Sequence, residues 1–188
     1  MSFDLKKKAT LKKLDYYLKN QEVDPPAIPI IQYINMHPDL FTTSSCSGRV
    51  LVLIDRGKKI DSEKYLTFHR KISVEDLKDL PEDSILRVEP FIFHIEARDI
   101  DVASEFLQRA RLVGIKRGGM TKVKIGYFIE IMGNVCFSSP VKNLIIDESL
   151  IKHINMLMTR NEKMLNRFYN SIRIWIENLV KNANKSLK

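Results

Sequence analysis

Cysteine is scarce: Cys46 and Cys136 stand far apart in 188 residues, and no Cys-x-x-Cys pair occurs. That excludes a zinc ribbon or a thioredoxin-like redox motif, so no metal site is expected. Two free thiols suit a reducing compartment. No run of about 18 apolar residues exists, so no membrane-spanning helix is expected. The stretch from Met1 to Lys8 lacks the apolar centre of a signal peptide, and a cytoplasmic location is the expectation. Missing too are Gly-x-Gly-x-x-Gly after a strand, Gly-x-x-x-x-Gly-Lys-Ser/Thr and His-Glu-x-x-His. Their absence argues against a Rossmann-type nucleotide site, though not against every nucleotide or sulfonium site.

What remains is ordinary in bulk and basic in balance. Apolar residues make up 44%, enough for a sizeable core without a disulfide or metal. With no repeat, linker or low-complexity segment, residues 1–188 are expected to form a single domain. Thirty-one Lys and Arg against 23 Asp and Glu give a net charge of +8. A positive field favours polyanionic partners, nucleic acid first, although a solvated basic surface is the plainer explanation.

Periodicity supplies the elements. Leu11, Leu14 and Leu18 stripe a basic helix over residues 5–19, which Asp24-Pro25-Pro26 ends. Residues 27–37 read as a short helix or an irregular segment. Val50–Ile54 reads as a strand, residues 55–64 as a loop, and residues 65–72 as a returning strand. Residues 74–80 read as a short helix or turn. Leu86–Ala97 alternates as one strand with a bulge or edge position at Pro90. Asp101 is a candidate cap for a helix ending at Gly114. Alternation from Val123 to Ile131 predicts another strand, with Gly133-Asn134 turning into Val135–Phe137. From about Glu148 to Asn182, Met158, Leu165, Phe168, Ile172, Trp175 and Leu179 mark one long helix, with Asn161 the polar member of the row. The expected fold class is a two-layer α+β domain with a mixed or mostly antiparallel sheet and a long C-terminal helix.

Thr42-Thr43-Ser44-Ser45-Cys46-Ser47-Gly48-Arg49 is the unusual segment. Hydroxyls and backbone N–H groups on a tight turn can hold a carboxylate or phosphate, Gly48 permits close approach, and Arg49 offers a fork for an anion. A polar turn feeding a strand is the bland alternative. Cys46 lacks an adjacent base, and a structural thiol is its simpler reading. His69 and His94 lie on strand candidates, and Glu89 is a strand-end carboxylate that could face a cleft. Lys116-Arg117-Gly118-Gly119 could grip a phosphate or be a solvated loop. Asn161 is either a satisfied interhelical amide or turned to a ligand.

Residues 43–49 resemble the signature of the tRNA wybutosine-synthesizing protein 3 family. Glu89-Pro90-Phe91-Ile92-Phe93-His94, the stretch from Ala110 to Gly119, Asn161-Glu162-Lys163-Met164 and Arg167-Phe168-Tyr169 follow in that family's order and spacing. The family's Gly-Gly-x-Trp before the histidine aligned with His69 is here Lys64-Tyr65-Leu66-Thr67-Phe68. The resemblance implies S-adenosyl-L-methionine as methyl donor. It implies, as substrate, a tricyclic demethylwyosine-type guanosine beside the anticodon of tRNA(Phe), methylated on a ring nitrogen. Under that reading Ser44, Ser45, Ser47, Gly48 and Arg49 hold a carboxylate, and Glu89 and Asn161 adjoin substrate or cofactor. His94 or His69 takes a proton. Lys116-Arg117 and the basic helix grip the anticodon stem-loop, and Phe91, Phe93 or Tyr127 stack on a base. The alternatives are a non-catalytic RNA-binding paralogue of the same fold, and an enzyme that uses Cys46 as nucleophile.

Overall fold

The computed structural model describes residues 2–54 and 63–186, with no side chains from 183 onward. Most of the expected 55–64 loop lies outside the described residues. The chain divides into two compact units, joined covalently after Cys46, Phe91, Gly133 and Lys163.

The first unit contains helices α1 (Phe3–Lys19), α2 (Ile28–Met36) and α3 (Ile100–Leu112). Its strands are β1 (Leu40–Cys46), β5 (Ile92–Ala97), β6 (Arg117–Lys122) and β7 (Tyr127–Met132). They form an antiparallel sheet in the order β1-β5-β7-β6. The second unit holds β2 (Arg49–Ile54), β3 (Glu63–Phe68), β4 (Ser84–Glu89) and β8 (Phe137–Pro140), antiparallel in the order β3-β2-β4-β8. Helix α4 (Glu148–Ser186) gives its first part to the second unit and the rest to the first. The α+β class, the antiparallel pairing and the long C-terminal helix are as expected. The strands form two sheets where one was anticipated.

That division revises several sequence expectations. Leu86–Ala97 is two strands, because Pro90 lacks the N–H a ladder needs and β4 and β5 join different sheets. Gly133-Asn134 makes no hairpin: β8 pairs with β4, not β7. Asp99, not Asp101, caps α3, accepting from the Val102 N–H at 3.0 Å. Gly114 does close that helix, at φ +96°, with Gly114 and Ile115 N–H groups returned to the Arg111 and Ala110 carbonyls. Val123 and Ile125 belong to the β6–β7 turn. Arg117-Gly118-Gly119 begin an edge strand rather than a loop, since glycine's absent side chain does not prevent pairing with β7.

The long helix covers both cores by its periodicity. In the first unit Phe168 meets Phe93 and Phe106 at centroid distances of 5.9 and 6.0 Å, and Trp175 meets His37 at 5.0 Å. In the second unit Ile151, Ile154, Leu157 and Met158 pack with Val50, Val52, Leu86 and Val88. Side chains at i, i+3, i+4 and i+7 supply one apolar stripe, and burial of each stabilises by about 1.5–3 kcal/mol.

Candidate functional site

In the first unit a cavity of about 450 Å³ opens between α1, the loop after it, α2 and β1. Thr10, Lys13, Leu14 and Tyr17 line it from α1, Glu22 and Val23 from the loop, Ile31 from α2, and Thr42 to Ser45 from β1. The hydroxyl block is therefore strand, not tight turn, as far as Cys46. Four β-branched or small residues in succession suit an extended backbone. A register shift between Thr42 and Ser44 interrupts the alternation at Thr43, after which Ser44 opposes His94 and Ser45 opposes Phe93. Asn35 fixes the strand's start, its side-chain Oδ1 accepting from the Thr42 N–H at 2.8 Å.

Ser45 carries the polarity of this wall. Its Oγ is buried and has no hydrogen-bond partner among the described residues. Leaving a hydroxyl so costs about 1–3 kcal/mol. Lys13 and Glu22 place one cation and one anion on the same lining. Glu22 reaches it because the chain leaves α1 through Gln21 at φ +56°, where the Gln21 and Glu22 N–H groups bond the Leu18 and Tyr17 carbonyls. That left-handed position folds the chain back beside Tyr17.

Ser44 also faces a second group. Its register partner on β5 is His94, whose partner on β7 is Glu130. Directly opposed residues share a sheet face, so Ser44, His94 and Glu130 form a row. His94 Nε2 lies 2.9 Å from Glu130 Oε2, and its ring centroid lies 5.2 Å from that of Phe128. A carboxylate on one ring nitrogen fixes the imidazole's orientation and leaves the other nitrogen for a proton.

The remaining nominated residues fall elsewhere. Ser47, Gly48, Arg49, Glu89, His69 and Asn161 belong to the second unit. Arg49 and Glu89 are register partners, with Nε 2.7 Å from Oε2, so the guanidinium already has an anion in the chain. Asn161 is 2% exposed; its Nδ2 donates to the Ser47 carbonyl at 2.7 Å, and its Oδ1 accepts from the Phe91 N–H at 3.0 Å. Both ends of the amide are thus held by backbone, and a ligand-facing Asn161 is not what the structure presents. His69 Nδ1 lies 3.2 Å from the Gly48 carbonyl. In the first unit, Lys116 and Arg117 are exposed at the start of β6. Phe91 and Phe93 are 0% exposed and cannot stack on a base, because each fills a core. Tyr127 is half-buried, with the Lys122 ammonium 4.4 Å from its ring centroid.

Sequence reasoning missed Thr10, Lys13, Tyr17 and Glu22. The signal was present: Thr10, Lys13, Leu14 and Tyr17 fall at i, i+3, i+4 and i+7, one helix face.

Fold and cavity define an α+β protein outside the Rossmann class, with a mixed-charge cavity beside a hydroxyl-bearing strand. The chain belongs to the family described as methyltransferase TYW3, whose model matches residues 5–174. A human relative, "tRNA wybutosine-synthesizing protein 3 homolog", is 30% identical over 89% of this chain and 71% of its own length. A Thermococcus sibiricus relative is named "tRNA(Phe) 7-((3-amino-3-carboxypropyl)-4-demethylwyosine(37)-N(4))-methyltransferase". It is 32% identical over 65% of this chain and 66% of its own. The solved PH1069 protein from Pyrococcus horikoshii superposes with a TM-score of 0.81 at 25% identity, covering 91% of this chain and 96% of that one.

Proposed function

We propose that this enzyme transfers a methyl group from S-adenosyl-L-methionine to a ring nitrogen of a demethylwyosine-type guanosine in tRNA(Phe). The unpartnered Ser45 hydroxyl, in a cavity that also carries Lys13 and Glu22, is the observation that carries this reading. The donor and the substrate named for the archaeal relative share a 3-amino-3-carboxypropyl group, one carboxylate and one ammonium on a short chain. A cavity of about 450 Å³ with a lysine, a glutamate and six hydroxyl residues suits such a group. Lys13 and the Ser45 hydroxyl hold the carboxylate, and Glu22 faces the ammonium. The donor supplies a methyl already activated by sulfonium.

The chain's own contribution is then placement and one proton transfer. Positioning a nucleophile in line with the methyl carbon supplies much of the barrier reduction. His94, oriented by Glu130, takes the ring proton as the new bond forms. The +8 charge favours the tRNA backbone as partner. Among the described residues no helix is long and apolar enough to cross a membrane.

Methyl transfer to anticodon stem-loop RNA bearing the demethylated base tests this. His94→Gln should lower kcat by roughly 10²–10⁴-fold with donor affinity retained. Ser45→Ala should weaken donor or substrate binding about tenfold, the value of one hydrogen bond to a charged group. Full activity in both variants would overturn the assignment.

A further inference from the structure

The aromatic platforms expected from sequence are closed: Phe91 and Phe93 are 0% exposed. The widely exposed aromatic side chains of the first unit lie instead on α1. Tyr16 is 62% exposed and Tyr17 45%, edge to face at 5.8 Å. Ala9, Lys12, Lys13, Tyr16 and Tyr17 line a shallow groove of about 410 Å³. Lys13 and Tyr17 also line the serine-walled cavity, so groove and cavity share a wall.

The lysines of this helix divide by use. Lys6 bonds both carboxylate oxygens of Glu96, at 2.7 and 2.6 Å, and Lys7 bonds the His37 and Pro38 carbonyls. Those two hold α1 to the sheet and the chain after α2. Lys12 and Lys13 are exposed and have no hydrogen-bond or ion-pair partner among the described residues. A fold that needed α1 only for packing would gain nothing from two adjacent tyrosines turned to water between unpaired lysines.

We infer that the α1 groove is a nucleotide subsite: it holds the RNA nucleotide next to the one whose base enters the serine-walled cavity. Tyr16 stacks on that neighbour's base, and Lys12 contacts the phosphate beside it. Tyr17, common to both spaces, separates the two bases. Aromatic rings interleaved with cations are what single-stranded RNA requires, because every base offers a π-face and every linkage a charge. Tyr65, also exposed, lines neither space. This inference rests on the RNA-methyltransferase reading above and adds the location and stacking partner of a second nucleotide.

The experiment is fluorescence anisotropy with labelled anticodon stem-loop RNA, run beside calorimetry with S-adenosyl-L-methionine. Tyr16→Leu should weaken RNA binding about tenfold, Tyr16→Trp should restore it, and neither should change donor affinity. Lys12→Gln should lower the slope of log affinity against log salt by about 0.7, one single-strand phosphate contact. An abasic site at the neighbouring nucleotide should weaken the wild-type complex and leave the Tyr16→Leu complex unchanged. Equal RNA binding by wild type and Tyr16→Leu would overturn the subsite while leaving the methyltransferase reading intact. Failure of the wild-type protein to bind this RNA at all would overturn both.

Discussion

His37 shows how burial turns one residue into a pH-sensitive element. Its ring sits against Trp175, 3% of the residue is exposed, and its Nδ1 accepts from the Asp39 N–H at 3.0 Å. Burial, the largest cause, lowers its pKa below the usual histidine value, opposed by Asp39 and assisted by Lys7. The unfolded chain, with a pKa of about 6.5 here, therefore binds a proton that the folded chain resists. Stability should fall as pH drops through about 6.5 and level off below the folded-state pKa. Melting temperatures between about pH 8 and pH 5 should decline more for wild type than for His37→Gln. Parallel curves would show that His37 contributes nothing to the acid limb.

At the scale of elements, the crossing between β1 and β2 depends on a glycine and an asparagine fitted to each other. Gly48 has φ +96°, and a Cβ there would meet Asn161 Nδ2 at 2.5 Å and the Glu89 carbonyl oxygen at 3.0 Å. Asn161 in turn satisfies the Ser47 carbonyl and the Phe91 N–H from α4. Asn155 repeats the device six residues earlier, bonding the Ile72 N–H at 2.9 Å and the Ile72 carbonyl at 2.8 Å. Gly48→Ala should destabilise by about 2–4 kcal/mol through clash and backbone strain. Asn161→Leu should cost a similar amount by leaving two buried backbone groups unsatisfied. Because the two sites touch, the double variant should lose less than the sum. Urea denaturation reads all three, and a loss under about 0.5 kcal/mol in either single variant would contradict this account.

For the whole molecule, the excess of cations predicts how affinity responds to salt. Lys8, Lys12, Lys13 and Lys19 are exposed on α1 without a partner among the described residues, whereas Lys6 and Lys7 are engaged. With Lys13 engaged in the cavity, phosphate contacts by the other three would give a log–log salt slope near −2, at about 0.7 per contact. Donor binding in the walled cavity should change little over the same range. RNA affinity that stayed constant between about 50 and 200 mM salt would show that the charge is only a solvated surface.

The sequence by itself determined the elements whose signal is local. A 3.6-residue period marked α1 and α4, β-branched runs marked β2, and the missing glycine fingerprint argued against a Rossmann site. It also singled out the hydroxyl block through residue order alone. Partnership between distant segments was decided only in three dimensions, because a strand's alternation names its faces but not its neighbours. Hence Leu86–Ala97 read as one strand although Pro90 hands the chain from one sheet to another, and Arg49 looked like a free anion fork until register set it opposite Glu89. Asn161 and Phe93 changed meaning for the same reason: burial and hydrogen-bond partners are properties of the packed chain, not of a residue's type.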